Sequence, residues 1–203
     1  MKKYAVLHEP GDIVTLAGTR FVVLDVERRG SLPDSLFLLA LESVGTSEFG
    51  NSNNYAESDL KKAVDKWLED MDKRGLDNAK LIPREIDLTT LDGSGCYGKL
   101  SVKAAPLTLD EAREYADIIP NAERWCWLAT GWSGPSKSDG DLALCVGSNG
   151  DWDSGSCSSS YGIRPALKAP SILFEDSEAG LDLSKIPTDD LLQEIHRRLA
   201  EKA

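Results

Sequence analysis

The side chains with chemical potential gather near the C-terminal end of the chain. Asp139, Asp141, Asp151 and Asp153, with Asn149 among them, offer oxygen ligands to a hard cation such as calcium. Their spacing departs from a helix–loop–helix calcium site, which needs a central Gly and a closing Glu. Asp and Asn in polar turns also bond their own backbone, so turn formation explains the same residues. Four cysteines (Cys96, Cys126, Cys145 and Cys157) form no C-x-x-C pair, and the two histidines, His8 and His196, are far apart. A zinc site therefore has no visible ligand set. The turn Asp92-Gly93-Ser94-Gly95 lacks the Lys-Ser/Thr ending of a phosphate loop. No metal, no cofactor and no enzyme activity are expected.

What remains is a surface. Between Ala129 and Ser160 the chain holds nine serines, six glycines and four aspartates, with one lysine and no Arg or Glu. Such a composition normally marks a linker. Here Trp132, Leu142, Leu144, Val146 and Trp152 are threaded through it, and a linker has no use for them. The segment reads instead as short strands and turns that hold small polar side chains in place. Small hydroxyls and carboxylates on a rigid scaffold bind at low entropic cost, as antibody loops do. The candidate ligand-binding residues are Ser133, Ser136, Ser138, Asp139, Asp141, Ser148, Asn149, Asp151, Trp152, Asp153, Ser154, Ser156, Ser158 and Ser159. Two readings compete for Trp132 and Trp152: binding anchors, or rings folded back over the core.

The supporting elements follow from pattern. Leu142 to Val146 alternates as a strand, and Ser148-Asn149-Gly150-Asp151 has turn chemistry. An immediate return centred near Asp151 sets Cys145 opposite Cys157. Trp125, Trp127, Ile163 and Ala166 are expected in the core. Arg164, in a buried-looking motif, needs a carboxylate or backbone carbonyls. Upstream, Ile13–Leu16, Phe21–Val26 and Leu36–Leu41 read as strands, and Gly45 to Tyr55 as a loop. Ser58 caps a helix that carries Leu60, Val64, Trp67, Leu68 and Met71 and stops at Gly75. Thr108 and Glu111 open a second helix that ends at Pro120. Ser171–Phe174 is expected as a last strand. Residues 175–186 read as an acidic linker and 187–203 as a helix with Leu192, Ile195 and Leu199 in a narrow stripe. That stripe docks on its own domain or on a partner, the second giving an oligomer.

Composition bounds the partners. A net charge of −11 opposes nucleic-acid phosphates and anionic membranes. No apolar run approaches the roughly 20 residues of a spanning helix, so no membrane insertion is expected. The opening MKKYAVLHEPGD lacks the apolar core of a signal peptide, which points to cytoplasmic synthesis.

Several landmarks fall in a familiar order. Pro10-Gly11-Asp12 precedes Phe21-Val22-Val23-Leu24-Asp25. Ser52-Asn53-Asn54-Tyr55-Ala56-Glu57-Ser58-Asp59-Leu60 leads into Lys66-Trp67-Leu68. Pro106-Leu107-Thr108-Leu109-Asp110-Glu111-Ala112 is followed by Trp125-Cys126-Trp127-Leu128 and Tyr161-Gly162-Ile163-Arg164-Pro165-Ala166-Leu167. Over roughly residues 10 to 174 this resembles an uncharacterised bacterial and phage domain family with a Gly-Val-Arg-Pro-Ala-Leu-like ending. The order is similar to the C-type-lectin fold of formylglycine-generating-enzyme-like domains and of variable proteins diversified by retroelements. The resemblance implies an α+β, C-type-lectin-like domain over 1–174: short antiparallel strands with two helices, plus the C-terminal helix. It implies a ligand-binding display protein acting on an unknown protein or glycan target, at a virion or cell surface. In such relatives randomised Asn codons cannot yield Lys, Glu, Gln, Met or Trp. Ser138 to Ser160 obeys that rule at every position except Trp152. The alternatives are a fixed-ligand lectin-like component, or an oxidase of the formylglycine-generating type (or its inactive relative) using Cys145 and Cys157.

Overall fold

Two apolar runs open the fold because each is covered on both faces. The computed structural model describes residues 8–29 and 32–174. β1 (Ile13–Leu16) and β2 (Thr19–Arg29) form a hairpin, and β3 (Leu32–Ala40) returns along β2. Successive side chains of a strand point to opposite faces. Phe21 and Val23 enter one core cluster, and Val22 and Leu24 enter another. Burial on both faces is why this run reads apolar without alternation.

The other strands complete an α+β fold with mostly antiparallel sheets. β12 (Ala166–Pro170) lies between β3 and the short β7 (Ala104–Ala105), giving the sheet order β1-β2-β3-β12-β7. A second five-stranded sheet runs β10 (Trp152–Ser156), β9 (Leu142–Val146), β8 (Cys126–Gly131), β11 (Ser160–Gly162), β4 (Thr46–Glu48). Its one parallel pair is β8 with β11. β5 (Arg84–Asp87) and β6 (Lys99–Val102) form a separate hairpin. α1 (Asp59–Lys73) is capped by Ser58, whose Oγ accepts the N–H of Lys61 at 2.9 Å, and it buries Leu60, Val64 and Met71. α2 (Leu109–Glu114) opens on the reciprocal Thr108–Glu111 capping box.

Trp127 sits where these parts meet. It is 1% exposed, and its Nε1 donates to the Ser47 carbonyl at 2.9 Å. Its ring packs edge-on against Phe49 at 5.5 Å and lies 4.5 Å from Tyr161. Ile163 and Ala166 are buried as expected. Between them the chain leaves the second sheet and enters the first, and Arg164 stands at that crossing. Its Nε donates to the Ala40 carbonyl and one terminal nitrogen to that of Pro120, both at 3.0 Å. Of the two expected kinds of partner, the backbone carbonyls are the ones it meets.

Four expectations need correction. Trp125 is 36% exposed; it precedes β8 and rests beside Gly147 and Tyr161. The stretch from Gly45 to Tyr55 contains β4, a polar strand stabilised by pairing with β11. Ser171–Phe174 is a 3-10 turn; the closing strand is β12, whose Ala-Leu-Lys-Ala-Pro sequence carries no β-branched residue and ends on a proline. Regular helix in α2 ends at Glu114, and the chain tightens into short turns, such as Ile118 N–H to Tyr115 carbonyl. The hairpin of β5 and β6 was not expected, and nor was the burial of Arg84. That guanidinium pairs with Glu111, donates to the carbonyl of Ala105 at 3.1 Å, and lies 5.2 Å above the Phe37 ring. Burial pulls its pKa down, opposed by the Glu111 carboxylate. The linker over 175–186 and the helix over 187–203 lie outside the described residues.

Removing the central indole tests this architecture. Trp127→Ala should cost about 3–5 kcal/mol, read by chemical denaturation. A loss below about 1 kcal/mol, the scale of an ordinary substitution, would show that the sheets do not depend on this ring.

Candidate functional site

β9 and β10 form the expected hairpin, but around a different centre. Trp152 pairs with Val146 and Ser156 with Leu142, so the return is centred on Asn149 rather than Asp151. Gly147 N–H reaches the Asp151 carbonyl at 2.8 Å, and Gly150 turns the chain at φ +86°. Asn149 accepts the N–H of Asp151 at 3.2 Å and also bonds its carboxylate. The turn begins one residue earlier than its sequence suggests, because Gly147 closes it.

That shift changes the partner of Cys145. Asp153 stands opposite Cys145, while the N–H of Cys157 bonds the Asp141 carbonyl at 2.7 Å. The cross-strand cysteine pair is therefore not formed, and all four thiols are free. Burial, and then the charge of Asp153, push the Cys145 thiol up to about 12. Burial and Asp141 do the same to Cys157, also to about 12. Cys126 is raised by burial. Only Cys96 is exposed. Thiols held protonated are poor nucleophiles.

The proposed surface residues divide by burial. Ser136, Ser138, Asp139, Asp141, Ser148, Asn149, Asp151, Trp152, Asp153 and Ser158 are exposed. Ser154, Ser156 and Ser159 are half-buried. Ser133 is 2% exposed and belongs to the scaffold. They also divide in space. Asp141 and Cys157 mark the open end of the hairpin, and Ser148 to Asp151 its turn. The six-residue span from Asp141 to Gly147 separates these ends by about 20 Å at strand geometry. Among the described residues, no group of three or more His, Cys, Asp or Glu side chains could hold a metal ion. No described helix is long and apolar enough to cross a membrane.

Between β8 and β9 the polar loop is tied down from beneath. Asn53 is 1% exposed. Its amide nitrogen donates to the carbonyls of Ser133 at 2.9 Å and Leu142 at 3.0 Å. Its amide oxygen accepts the Tyr97 hydroxyl at 2.6 Å. From above, Lys137 reaches Asp92 at 2.5 Å. That pair, with the Thr90 hydroxyl and the Ser94 N–H, holds the Asp92 carboxyl well below the usual carboxylate range. In the sequence Asn53 was one more polar loop residue, and nothing marked it as the anchor.

Beside the hairpin lies a cleft of about 480 Å³. α2 and the turn after it supply Leu109, Arg113 and Ala116, and the long loop between β5 and β6 supplies Leu91. Trp132, Leu144, Trp152 and Asp153 complete it. Trp132 is partly buried against the core, yet one side lines the cleft. Trp152 is 44% exposed. Trp152 is thus not folded back over the core, whereas Trp132 packs against the core on one side and lines the cleft on the other. Leu91, Leu109, Arg113, Ala116 and Leu144 were not among the expected site residues. An isolated Leu91 in a polar loop was the one available signal. Compared with protein-family models, curated proteins and solved structures, the chain matches none.

Two outcomes test the scaffold. Asn53→Asp leaves both carbonyls without a donor and should cost about 2–4 kcal/mol in urea unfolding; unchanged stability would remove Asn53 as the anchor. In the native protein at pH 8, a thiol reagent should modify one cysteine quickly, and Cys96→Ser should abolish that phase. Fast modification of a second thiol would contradict the buried placement of Cys126, Cys145 and Cys157.

Proposed function

We propose that this chain is a ligand-binding display protein with a C-type-lectin-like fold, its hairpin surface diversified by a retroelement to meet variable protein or glycan targets. The observation that carries the reading is Trp152. A large aromatic ring left 44% exposed on an edge strand, beside a 480 Å³ cleft, serves recognition rather than packing. The fold lends support. β12 is flanked by β3 near the start of the chain, and the polar loops sit on an antiparallel sheet.

The surface is also suited to variation at some positions and closed to it at others. Ser136, Ser138, Asp139, Ser148, Asn149 and Asp151 are exposed, so exchanging them leaves the core alone. Gly155 is different. A Cβ there would collide with Tyr161 and come within 3.0 Å of the Trp127 ring. At Gly147 a Cβ would lie 3.1 Å from Trp125. Diversification on this scaffold spares those two glycines, and Trp152, which randomised Asn codons cannot encode, stays as the constant wall of the cleft.

DNA sequence tests the diversification. A near-copy of the segment encoding residues 133–160, carrying Asn codons, should lie near the gene beside a reverse transcriptase. Its absence would leave a fixed-ligand binding domain. Binding itself is tested on arrays of glycans and surface proteins. Trp152→Ala should weaken any captured target at least tenfold, a fraction of the about 2 kcal/mol or more of a hot spot, without moving the melting temperature. Unaltered binding would take the cleft out of the site.

A further inference from the structure

Among the described residues the outer edge of β10 is open. β9 pairs with one side, and among the described residues no strand pairs with the other. The Gly147–Asp151 and Asp141–Cys157 bonds set the phase of the ladder. In that phase Cys145–Asp153 and Ala143–Gly155 are the hydrogen-bonded pairs. The residues between them, Trp152, Ser154 and Ser156, turn their N–H and C=O groups outward. Asp153 Oδ1 accepts the N–H of Ser154 at 2.8 Å, where a neighbouring strand would otherwise supply the acceptor. Natural edges are commonly blunted by Lys, Pro or a bulge. From Trp152 to Ser156 there is no Lys and no Pro, and the pairing with β9 runs without a register shift.

Charge and shape narrow the occupant. Asp151 and Asp153 alternate with Trp152 and Ser154 along this edge, and Asp139 and Asp141 are exposed at the far end of the hairpin. The one lysine of the segment, Lys137, is held by Asp92. A strand added to the edge would set every second side chain toward Trp152 and the cleft, and the intervening ones toward the carboxylates. We propose that β10 takes an extended peptide as an added strand, one that alternates basic with apolar or aromatic residues. Backbone bonds to Trp152, Ser154 and Ser156 supply affinity, the Ser154 N–H exchanging Asp153 Oδ1 for a peptide carbonyl, and the cleft and carboxylates supply selection. This inference rests on the reading of the cleft as the ligand site and names its partner class.

The probe is an acetylated, amidated heptapeptide, Lys-Val-Lys-Phe-Lys-Val-Lys, titrated against the full chain by fluorescence anisotropy. It should bind and slow amide exchange at Trp152, Ser154 and Ser156. Glutamate in place of lysine should weaken binding at least tenfold, as should Trp152→Ala. Two further peptides carry N-methyl groups on the odd or on the even residues. Strand addition requires one of them to lose at least tenfold and the other to bind as the parent does. Equal binding by both methylated peptides would overturn strand addition while leaving the cleft as a binding site. No binding by the parent peptide would overturn the proposal, and the cleft is then judged by Trp152→Ala on array targets. A concentration-dependent dimer that shields the same amides without peptide would also overturn it, in favour of a second copy.

Discussion

The indole of Trp127 is the contact on which the rest of the structure depends. It is one side chain with four obligations. Its N–H holds the β4 segment through Ser47, and its faces and edges carry Phe49 and Tyr161. Above it the backbone of β10 passes closely at Gly155, where a Cβ would collide with Tyr161 and lie 3.0 Å from the indole. The apolar term that organises the core therefore also sets the height of the hairpin. A polar surface acquires a defined shape because its underside rests on a buried, hydrogen-bonded ring. Aromatic pairs at such separations add directional preference to simple burial, which keeps the hairpin aligned as well as attached.

The loop beside the hairpin is ordered by different means. Its side chains are too small and polar to form a core, so ordering them must come from hydrogen bonds. Asn53 supplies these from below: both amide protons are used, and its oxygen accepts Tyr97. A buried amide satisfied at every bond is worth more than its net contribution suggests, because each partner would be costly to leave unpaired. Gly131 lies directly against this amide, and a Cβ there would come within 2.8 Å of its carbon. The exposed Lys137–Asp92 pair contributes little energy, as surface pairs do, but it marks where the loop meets the turn after Thr90. The result is a set of exposed Ser and Asp side chains on backbone that does not need them for stability. The same segment keeps its thiols protonated. The nearby thiols are buried beneath carboxylates that oppose their ionisation.

Much of the frame was legible in the residues. Capping at Ser58 and the Thr108–Glu111 box are local events, settled within four residues, and they stand where the spacing put them. The apolar runs at Phe21 and Leu142 became strands, and Arg164 found carbonyls, because a buried guanidinium must. Other parts were not legible. β4 (Thr-Ser-Glu) and β12 (Ala-Leu-Lys-Ala-Pro) carry no β-branched apolar run, and they are strands because β11 pairs with the first and β3 and β7 flank the second. Trp125 and Trp127 are identical residues two positions apart, yet one is 36% exposed and the other 1%. Alternation would place them on the same face. The end of the strand, and what lies above it, separate them.

By itself the sequence determined the helix caps, the longer apolar strands, the polar character of the 133–160 segment and the net charge of the chain. These depend on neighbours within a few residues or on totals over the chain. Tertiary structure alone decided the register of the hairpin, the depth of each thiol and the existence of the cleft. The expected partner of Cys145, Cys157, and the observed one, Asp153, are four residues apart, an even slip that leaves every side chain on its own face, so the hydrophobic pattern does not separate the two registers. The cleft has walls from the β5–β6 loop, α2 and the sheet of β8, β9 and β10, brought together from residues 91 to 153. No spacing rule links such residues, because only packing brings them within reach of one another.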